Sequence, residues 1–319
     1  MWQVSVNQRA MKLVRKFCAK AETYRVKVKK SKKGASIIDA GLEAKGSIEA
    51  GRVITEICLG GLGQANISTT QIGSKSLPLI SVSTDFPAIS TLGSQMAGWQ
   101  IKSKGFQALG SGPARALALK PKSIFEQIDY KDAYDETVIV LETSKEPPED
   151  VIANIAESCH VNVNKLFLVV VPITSISGIT QVSGRVVETG IHKLVNIGVD
   201  PKCILHAKGS APILPVHHDP VEAMGRSNDA ILYGGETYIV LNYDDEAKLR
   251  QLTEKSVSSA SKQYGQSFAE ILKKADFDFY KIDPQLFAPA VMTVENKRTG
   301  RTFSAGKINS DVLLKTISL

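Results

Sequence analysis

The sequence predicts an α/β fold with mixed layers of helices and strands, arranged as a two-domain subunit. Its 319 residues exceed the size at which a single hydrophobic core usually stops growing. A short apolar strand, TVIVLE at 137–142, is followed by a helix over 146–159 and by a second apolar strand, KLFLVVVP at 165–172. This order of strand, helix and strand is typical of layered α/β domains.

Apolar spacing and turn residues predict the other elements. An amphipathic helix is expected over 4–20, and the alternating, lysine-rich segment 24–36 is typical of an exposed edge strand. The remaining predicted elements are strands at 53–59, 65–72, 79–83, 203–207 and 238–241, helices at 87–101, 181–198, 247–259 and 267–275, a strand, glycine-rich turn and helix start at 105–119, and a C-terminal hairpin of 290–296 with 302–308.

The predicted domain boundary lies near residue 130, just before the TVIVLE strand. The first domain, 1–130, is an α/β domain that contains the glycine-rich GSGPAR turn. The second, 131–319, is an α/β domain that contains the helix with the sequence RVVET. The boundary is approximate, because a chain can cross between its domains more than once.

Composition narrows the class of partner. The chain has 39 Lys and Arg against 32 Asp and Glu, a net charge of +7 and a pI near 9.1, which favours an anionic partner. Aromatic residues make up only 6%, and no basic cluster is interleaved with them, so we expect no nucleic-acid partner. There is no CxxC pair, no signal-peptide pattern and no apolar run long enough to span a membrane, so a cytoplasmic protein without a membrane partner is expected.

One segment, SGRVVETGIHKLVNIG from residue 183, brings three chemically active residues to one helix face. Arg185, Glu188 and His192 are separated by three and four residues. An ion pair on the helix surface is the simpler interpretation. The alternative is that a cleft partly buries Glu188 with Arg185 as its charge partner, and such a carboxylate could activate water.

A second segment, LGSGPARAL at 109–117, could form an anion or heterocycle cradle. Gly110 and Gly112 permit close approach of a backbone, Pro113 suits the first turn of a helix, and Arg115 lies beside the helix N–H groups. The dinucleotide and P-loop motifs are absent, since neither a third glycine nor Gly-Lys-Ser/Thr follows. A plain turn explains the segment equally well.

A third segment, AMGRSNDAILYGGETYIV at 223–240, is dense in hydrogen-bonding groups. Arg226, Ser227, Asn228 and Asp229 indicate either an Asx-rich turn with a helix cap or a surface that recognises the edge of a pterin. No metal site is predicted. The adjacent His217 and His218 point apart on most backbones, and no other histidine lies at a supporting spacing.

Taken together, these segments resemble one enzyme family. The resemblance rests on GSQMAGWQI from residue 93, ALGSGPARALA from 108, TQVSGRVVETGIHKL from 180 and AMGRSNDAILYGG from 223, and it extends from SVNQRAMKLV at residue 5 into the GETYIV strand. In all of these segments, the sequence is similar to the methenyltetrahydromethanopterin cyclohydrolases.

The resemblance implies an activity and an architecture. The activity is the reversible hydrolysis of N5,N10-methenyl-tetrahydromethanopterin to the N5-formyl compound, in methanogenesis or one-carbon oxidation. The architecture is a two-domain α/β subunit with a deep interdomain cleft, assembled as a homotrimer. No cofactor is expected beyond the substrate carrier, and an archaeal source is preferred.

The resemblance also implies the site residues. Glu188 and Arg185 match the family's glutamate and arginine, with Glu188 as the general base toward water and Arg185 orienting it and stabilising charge on oxygen. Gly184 and Gly190 flank the pair and indicate a helix shorter than 181–198. The candidates for substrate contacts are Gln95, Gly110, Ser111, Gly112, Arg115, Gln181, Ser183, Arg226, Asn228 and Asp229.

Two alternatives stay open at this point. One is a non-catalytic protein that binds anions or pterins through its basic surface. The other is a cyclohydrolase acting on the folate analogue, which shares the reacting ring. Tail length and charge would discriminate between the two substrates, and the phosphate and carboxylates of the methanopterin tail suit the basic pI.

Overall fold

The computed structural model describes residues 4–278 and 281–318, and the chain forms two compact units. Unit 1 contains Met1–Gln64 and Ala88–Gln181, and unit 2 contains Ala65–Pro87 and Val182–Leu319. The chain therefore passes from one unit to the other three times. Each unit is built on a six-stranded sheet.

The elements follow one another in mixed order. The α-helices of the described residues are α1 (Val6–Ala19), α2 (Ala21–Tyr24), α3 (Ile48–Cys58), α4 (Ala114–Ala118), α5 (Lys122–Ile128), α6 (Glu149–Ser158), α7 (Ile176–Ser183), α8 (Val186–Asn196), α9 (Pro220–Gly234), α10 (Glu246–Lys255), α11 (Phe268–Lys274) and α12 (Ser310–Ser318). The strands are β1 (Lys27–Lys30), β2 (Ser36–Asp39), β3 (Gly63–Ile72), β4 (Lys75–Thr84), β5 (Trp99–Ser103), β6 (Phe106–Ser111), β7 (Thr137–Glu142), β8 (Leu166–Val170), β9 (Ile204–Pro212), β10 (Glu236–Leu241), β11 (Val291–Asn296) and β12 (Arg301–Gly306). A π-helix spans Ala88–Gln95, and short 3₁₀ turns join other elements.

Unit 1 is a three-layer structure. Its sheet has the order β1-β2-β8-β7-β6-β5, with β2, β8 and β7 parallel and the outer pairs antiparallel. Ile139 and Leu141 point into a core with α6, whereas Val138 and Val140 point into a second core with α1 and α3. Both faces of the central strands are therefore buried, which explains their unbroken apolar sequences.

Unit 2 is built on a sheet of order β12-β11-β10-β9-β4-β3. Strands β10 and β11 are parallel, and β9 is antiparallel to both β10 and β4, as β12 is to β11. Helix α8 packs closely on this sheet. A Cβ added at Gly190 would lie 3.1 Å from Thr237 Cγ2 and 3.3 Å from Met292 Cε. The glycine lets the helix backbone approach the sheet at this position.

The structure confirms the predicted α/β class and many of the elements. The lysine-rich segment is an edge strand, the 105–119 segment is a strand followed by a turn and a helix, and the C-terminal hairpin is β11 and β12. The compact units are divided differently from 1–130 and 131–319. Strands β6 and β7 lie on opposite sides of residue 130 and are neighbours in one sheet. Among the described residues, no helix has the length and hydropathy required to cross a membrane.

Three predicted elements were wrong. Residues 53–59 lie mainly in helix α3 and not in a strand, because Ser47 caps the helix and Val53, Ile54 and Ile57 fall on its buried face. The helix expected over 87–101 is a π-helix that ends at Gln95, and β5 follows from Trp99. The helix expected over 181–198 is interrupted between Ser183 and Val186, as the flanking glycine suggested.

Candidate active site

Arg185 and Glu188 lie where α7 ends and α8 begins. The Arg185 N–H donates to the Val182 carbonyl at 2.9 Å, which closes a tight turn with Ser183 and Gly184 at its centre. Arg185 is then the N-cap residue of α8, and Glu188 lies in its first turn. A carboxylate in the first turn of a helix is stabilised by the partial positive charge of that helix end.

Burial excludes the simpler interpretation of this pair. Arg185 is 7% exposed and Glu188 is 8% exposed, so they do not form a solvated ion pair on a helix surface. His192 is half-buried, and its Nε2 lies 3.5 Å from Asn196 Nδ2, so it has a local partner on α8. Arg185 and Glu188 are therefore two buried residues of opposite charge at the start of a helix that is packed on a sheet.

The glycine-rich turn of unit 1 is joined to the segment that carries Gln95. Gly112 has a φ of +97°, and its N–H donates to the Ser94 carbonyl at 2.8 Å. Gln95 is fully buried and is the last residue of the π-helix, an element that often marks functional sites. Gly110 and Ser111 end β6 directly before the turn, so the structure brings four of the candidates in unit 1 together.

Arg115 turns inward instead of presenting its charge to a ligand. Its Nη1 donates to the carbonyls of Leu92 and Ser94 at 2.9 and 3.2 Å, and its Nε donates to the Lys120 carbonyl at 2.7 Å. The guanidinium carbon lies 5.6 Å from the centre of the Phe125 ring. These contacts connect the glycine-rich turn to the 92–94 segment, so Arg115 stabilises the conformation of the turn.

Gln181 lies beside a carboxylate that is not among the predicted site residues. Its Nε2 is 3.4 Å from Oε2 of Glu142, the last residue of β7. Ligands of α/β sheets commonly bind beyond the carboxyl ends of the parallel strands, which is where Glu142 lies. In the sequence, Glu142 could have been recognised as a site candidate because it is a glutamate that ends the apolar TVIVLE strand.

The third segment is a helix and not an Asx-rich turn. Asp219 caps α9, and Arg226, Asn228 and Asp229 all lie within that helix. Arg226 Nη1 donates to the Pro215 carbonyl at 3.0 Å, and Asn228 Nδ2 donates to the Met224 carbonyl at 2.9 Å. Short polar residues favoured the turn interpretation, but the cap at Asp219 and the packing of α9 stabilise a helix here.

Asp229 joins three helices inside unit 2. It is fully buried, Oδ1 accepts from the Phe268 N–H at 2.8 Å, and Oδ2 accepts from Thr316 Oγ1 at 2.7 Å. These contacts connect α9 to α11 and α12. Desolvation by burial raises the pKa of this carboxyl from its ordinary value of 3.8 to about 7.

Replacing Asp229 with Asn is expected to remove a pH dependence of stability. The raised pKa means that the folded chain holds the proton more tightly, so this group's stabilisation is complete below pH 3.8 and falls until about pH 7. Asn cannot ionise and keeps both hydrogen bonds, since its amide can donate to the Thr316 hydroxyl. Urea midpoints at about pH 5 and about pH 8 should differ less in the variant than in the wild type.

Asp39 is the control for that comparison. Burial alone would raise its pKa, but four backbone N–H groups lower the pKa below its ordinary value. Asp39→Asn should therefore remove a stabilisation that the wild type loses as the pH falls. Equal pH dependence in the Asp229→Asn variant and the wild type would contradict the assignment to Asp229.

The histidines do not suggest a metal centre. The rings of His217 and His218 do not point apart as expected but stack with 4.5 Å between their centres, and His217 Nδ1 accepts from the Asp219 N–H. The Asp219 carboxylate is occupied in capping α9. Within residues 4–278 and 281–318 there is no group of three or more His, Cys, Asp or Glu side chains arranged to hold a metal ion.

Comparison with known proteins gives the same family over nearly the whole chain. A family model described as "Cyclohydrolase (MCH)" matches residues 5–317. The chain is 44% identical over 319 residues to the methenyltetrahydromethanopterin cyclohydrolase of Methanothermobacter thermautotrophicus, covering 99% of this chain and 100% of the relative. It is 43% identical over 317 residues to the protein of the same name from Methanocaldococcus jannaschii, with 98% of each chain covered.

Fold, buried carboxylate and family match together define a hydrolytic enzyme of the cyclohydrolase class. The chain belongs to the methenyltetrahydromethanopterin cyclohydrolase family, which confirms the resemblance seen in the sequence motifs. The candidate site residues fall into two groups, one in each unit. Unit 1 holds Gln95, Gly110, Ser111, Gly112, Arg115 and Gln181, and unit 2 holds Ser183, Arg185, Glu188, Arg226, Asn228 and Asp229.

Proposed function

We propose that this chain catalyses the reversible hydrolysis of N5,N10-methenyl-tetrahydromethanopterin to N5-formyl-tetrahydromethanopterin. The observation that carries the proposal is the buried Glu188 in the first turn of α8, preceded by the buried Arg185 at the N-cap. The names of the relatives and the family match over residues 5–317 support the same reaction.

The substrate brings its own electrophile. The methenyl carbon lies in a delocalised amidinium cation, so the enzyme chiefly needs to position water, remove a proton from it and protonate the departing nitrogen. Neither a Lewis acid nor a redox cofactor is needed for this step. We therefore propose that the enzyme has no resident cofactor, and that tetrahydromethanopterin enters as the carrier of the one-carbon group.

The proposed reaction has two steps. In the first, water oxygen bonds to the methenyl carbon while Glu188 takes one water proton, which leaves a neutral hydroxylated intermediate. In the second, the bond between that carbon and N10 breaks, Glu188 returns its proton to N10, and the hydroxyl loses its proton to solvent as the formyl C=O forms. Net, one cation and one water give the neutral formyl compound and one proton.

Arg185 has the supporting role in this mechanism. Arg185 is the N-cap residue of α8, and Glu188 follows it within the first turn of that helix. The fixed positive charge of Arg185 orients the carboxylate and stabilises the negative charge that develops on oxygen. The substrate cation and the carboxylate have opposite charges, which favours binding of the substrate.

The pterin and its tail are proposed to bind to the polar groups described above. Gln95 and the glycine-rich turn with Gly110, Ser111 and Gly112 are the proposed contacts in unit 1, as is Gln181 beside Glu142. The net charge of +7 supports a substrate whose tail carries phosphate and carboxylates. Arg115 and Asp229 hold the scaffold in this proposal, because both make several hydrogen bonds within their own unit.

The deciding experiment follows the absorbance of the methenyl-pterin after addition of purified, chelator-treated protein. Methanopterin and folate forms are run in parallel. Rapid loss of absorbance with the methanopterin form, and slower loss with the folate form, is the expected result. Loss only at the spontaneous rate with both forms would contradict catalysis and leave a pterin- or anion-binding protein.

Assembly and location belong to the same proposal. We expect a homotrimer, as the family resemblance implies, and a location in the cytoplasm. Light scattering of the purified protein should then give three times the chain mass of 34.5 kDa. A mass equal to that of one chain, with full activity, would contradict a role for the trimer in catalysis.

A further inference from the structure

Ser183 differs from the other buried helix hydroxyls in its surroundings. The residue is the last of α7 and is fully buried, yet among the described residues nothing forms a hydrogen bond with its Oγ. A buried polar atom without a partner costs free energy, so native structures keep few of them, commonly at functional sites.

The usual solution for such a hydroxyl is present one turn earlier in the same helix. Thr180 is also fully buried, and its Oγ1 donates to the Ile176 carbonyl at 2.7 Å. Thr55 and Thr253 satisfy their hydroxyls in the same way within α3 and α10. Ser183 does not make the corresponding bond to Ile179, so its hydroxyl is left for a group outside the helix.

The position of Ser183 in the fold indicates which group outside the helix its hydroxyl binds. Ser183 and Gly184 are the central residues of the turn closed by the hydrogen bond from the Arg185 N–H to the Val182 carbonyl. This turn leads directly into the first turn of α8, which carries Glu188. The hydroxyl and the proposed general base are thus held by the same short, buried segment.

We propose that Ser183 is a third catalytic residue, whose hydroxyl donates a hydrogen bond to the oxygen that the methenyl carbon acquires. This oxygen is first the attacking water oxygen and later the formyl oxygen. The donor is neutral and adds no charge beside a cationic substrate. The inference rests on the proposed function, because it assigns Ser183 to that reaction.

Replacing Ser183 with Ala separates this role from a structural one. The change removes a hydroxyl without a partner, so the melting temperature should stay the same or rise. The same change should lower kcat by about 100-fold, as loss of a donor to a developing oxyanion does, while KM changes by less than about threefold. Stability and activity are thus expected to move independently.

Ser256→Ala is the matched control. Ser256 is another fully buried serine of unit 2, but its Oγ donates to the Thr253 carbonyl at 2.7 Å. Its replacement should lower the melting temperature and leave kcat unchanged. Ser183→Cys gives a second test, because the thiol differs from the hydroxyl in one atom and is a poor donor. It should lose activity as the alanine variant does.

The outcomes distinguish this inference from the proposed function. If the wild type hydrolyses the methenyl-pterin and Ser183→Ala keeps kcat within about twofold, the role of Ser183 is refuted and the function stands. A lowered melting temperature with unchanged kcat would also refute it, since the hydroxyl would then be structural. A wild type without hydrolysis would refute the function itself.

Discussion

Glu188→Gln should lower kcat by at least about 100-fold, with KM for the methenyl-pterin within about threefold of the wild type. Gln has the same shape as Glu but cannot accept the proton of the attacking water. The carboxylate is 8% exposed at the start of α8, so the substitution changes little of the surrounding packing. Steady-state absorbance kinetics with the methanopterin substrate measure both parameters.

The control for this prediction is Glu254→Gln. Glu254 lies on α10 and pairs with Arg250 at 3.6 Å, with both side chains well exposed. Its replacement should change neither kcat nor the melting temperature measurably, because exposed ion pairs contribute little. A Glu188→Gln variant that retains most of the wild-type turnover would refute general-base catalysis by this residue.

Gly178→Ala should destabilise the fold strongly, although alanine favours helices. Gly178 lies in the first turn of α7, and a Cβ built there would be 2.0 Å from the Pro172 carbonyl oxygen and 2.8 Å from the Pro172 carbonyl carbon. Both are backbone atoms of the connection from β8, so a change of rotamer cannot relieve the overlap.

The expected loss is at least about 3 kcal/mol in the free energy of unfolding, since the overlap outweighs a helix-propensity gain of about 1 kcal/mol. The melting temperature should fall by at least about 5 °C. Activity should fall as well, because α7 ends at Ser183 and moves with its first turn.

Gly190→Ala is the comparison for this prediction. At Gly190 a Cβ would meet only side-chain atoms, the nearest being Thr237 Cγ2 at 3.1 Å. A small shift relieves that contact, so the loss should stay under about 1 kcal/mol. Thermal unfolding of the two variants beside the wild type measures the difference. Equal stability of Gly178→Ala and the wild type would contradict the close approach of α7 to the β8–α7 connection.

Local patterns predicted the elements whose physics is local. The amphipathic first helix, the lysine-rich edge strand and the C-terminal hairpin all follow from periodicity and turn residues. Predictions failed where neighbours in space decided the conformation. Residues 53–59 were interpreted as a strand because of their apolar content, but the cap at Ser47 and packing against α1 place them in a helix.

The candidate site was likewise predicted from the sequence only in part. Arg185 and Glu188 were predicted from the sequence because residues that are three positions apart on a helix lie on the same face. Their burial was not readable from that spacing, since it depends on the sheet on which α8 packs. Glu142 was missed, because its proximity to Gln181 comes from a fold contact across 39 positions.

The sequence by itself determined the α/β class and the family, because apolar periodicity and sequence motifs are properties of neighbouring residues. It also predicted Arg185 and Glu188 as the catalytic residues through the RVVET match. Tertiary structure alone decided the division into units, since β6 and β7 join across residue 130. It also decided that Arg115 serves backbone carbonyls and that the Ser183 hydroxyl has no partner within the described residues. Burial and hydrogen bonding depend on atoms that are distant in the chain, and folding alone brings them together.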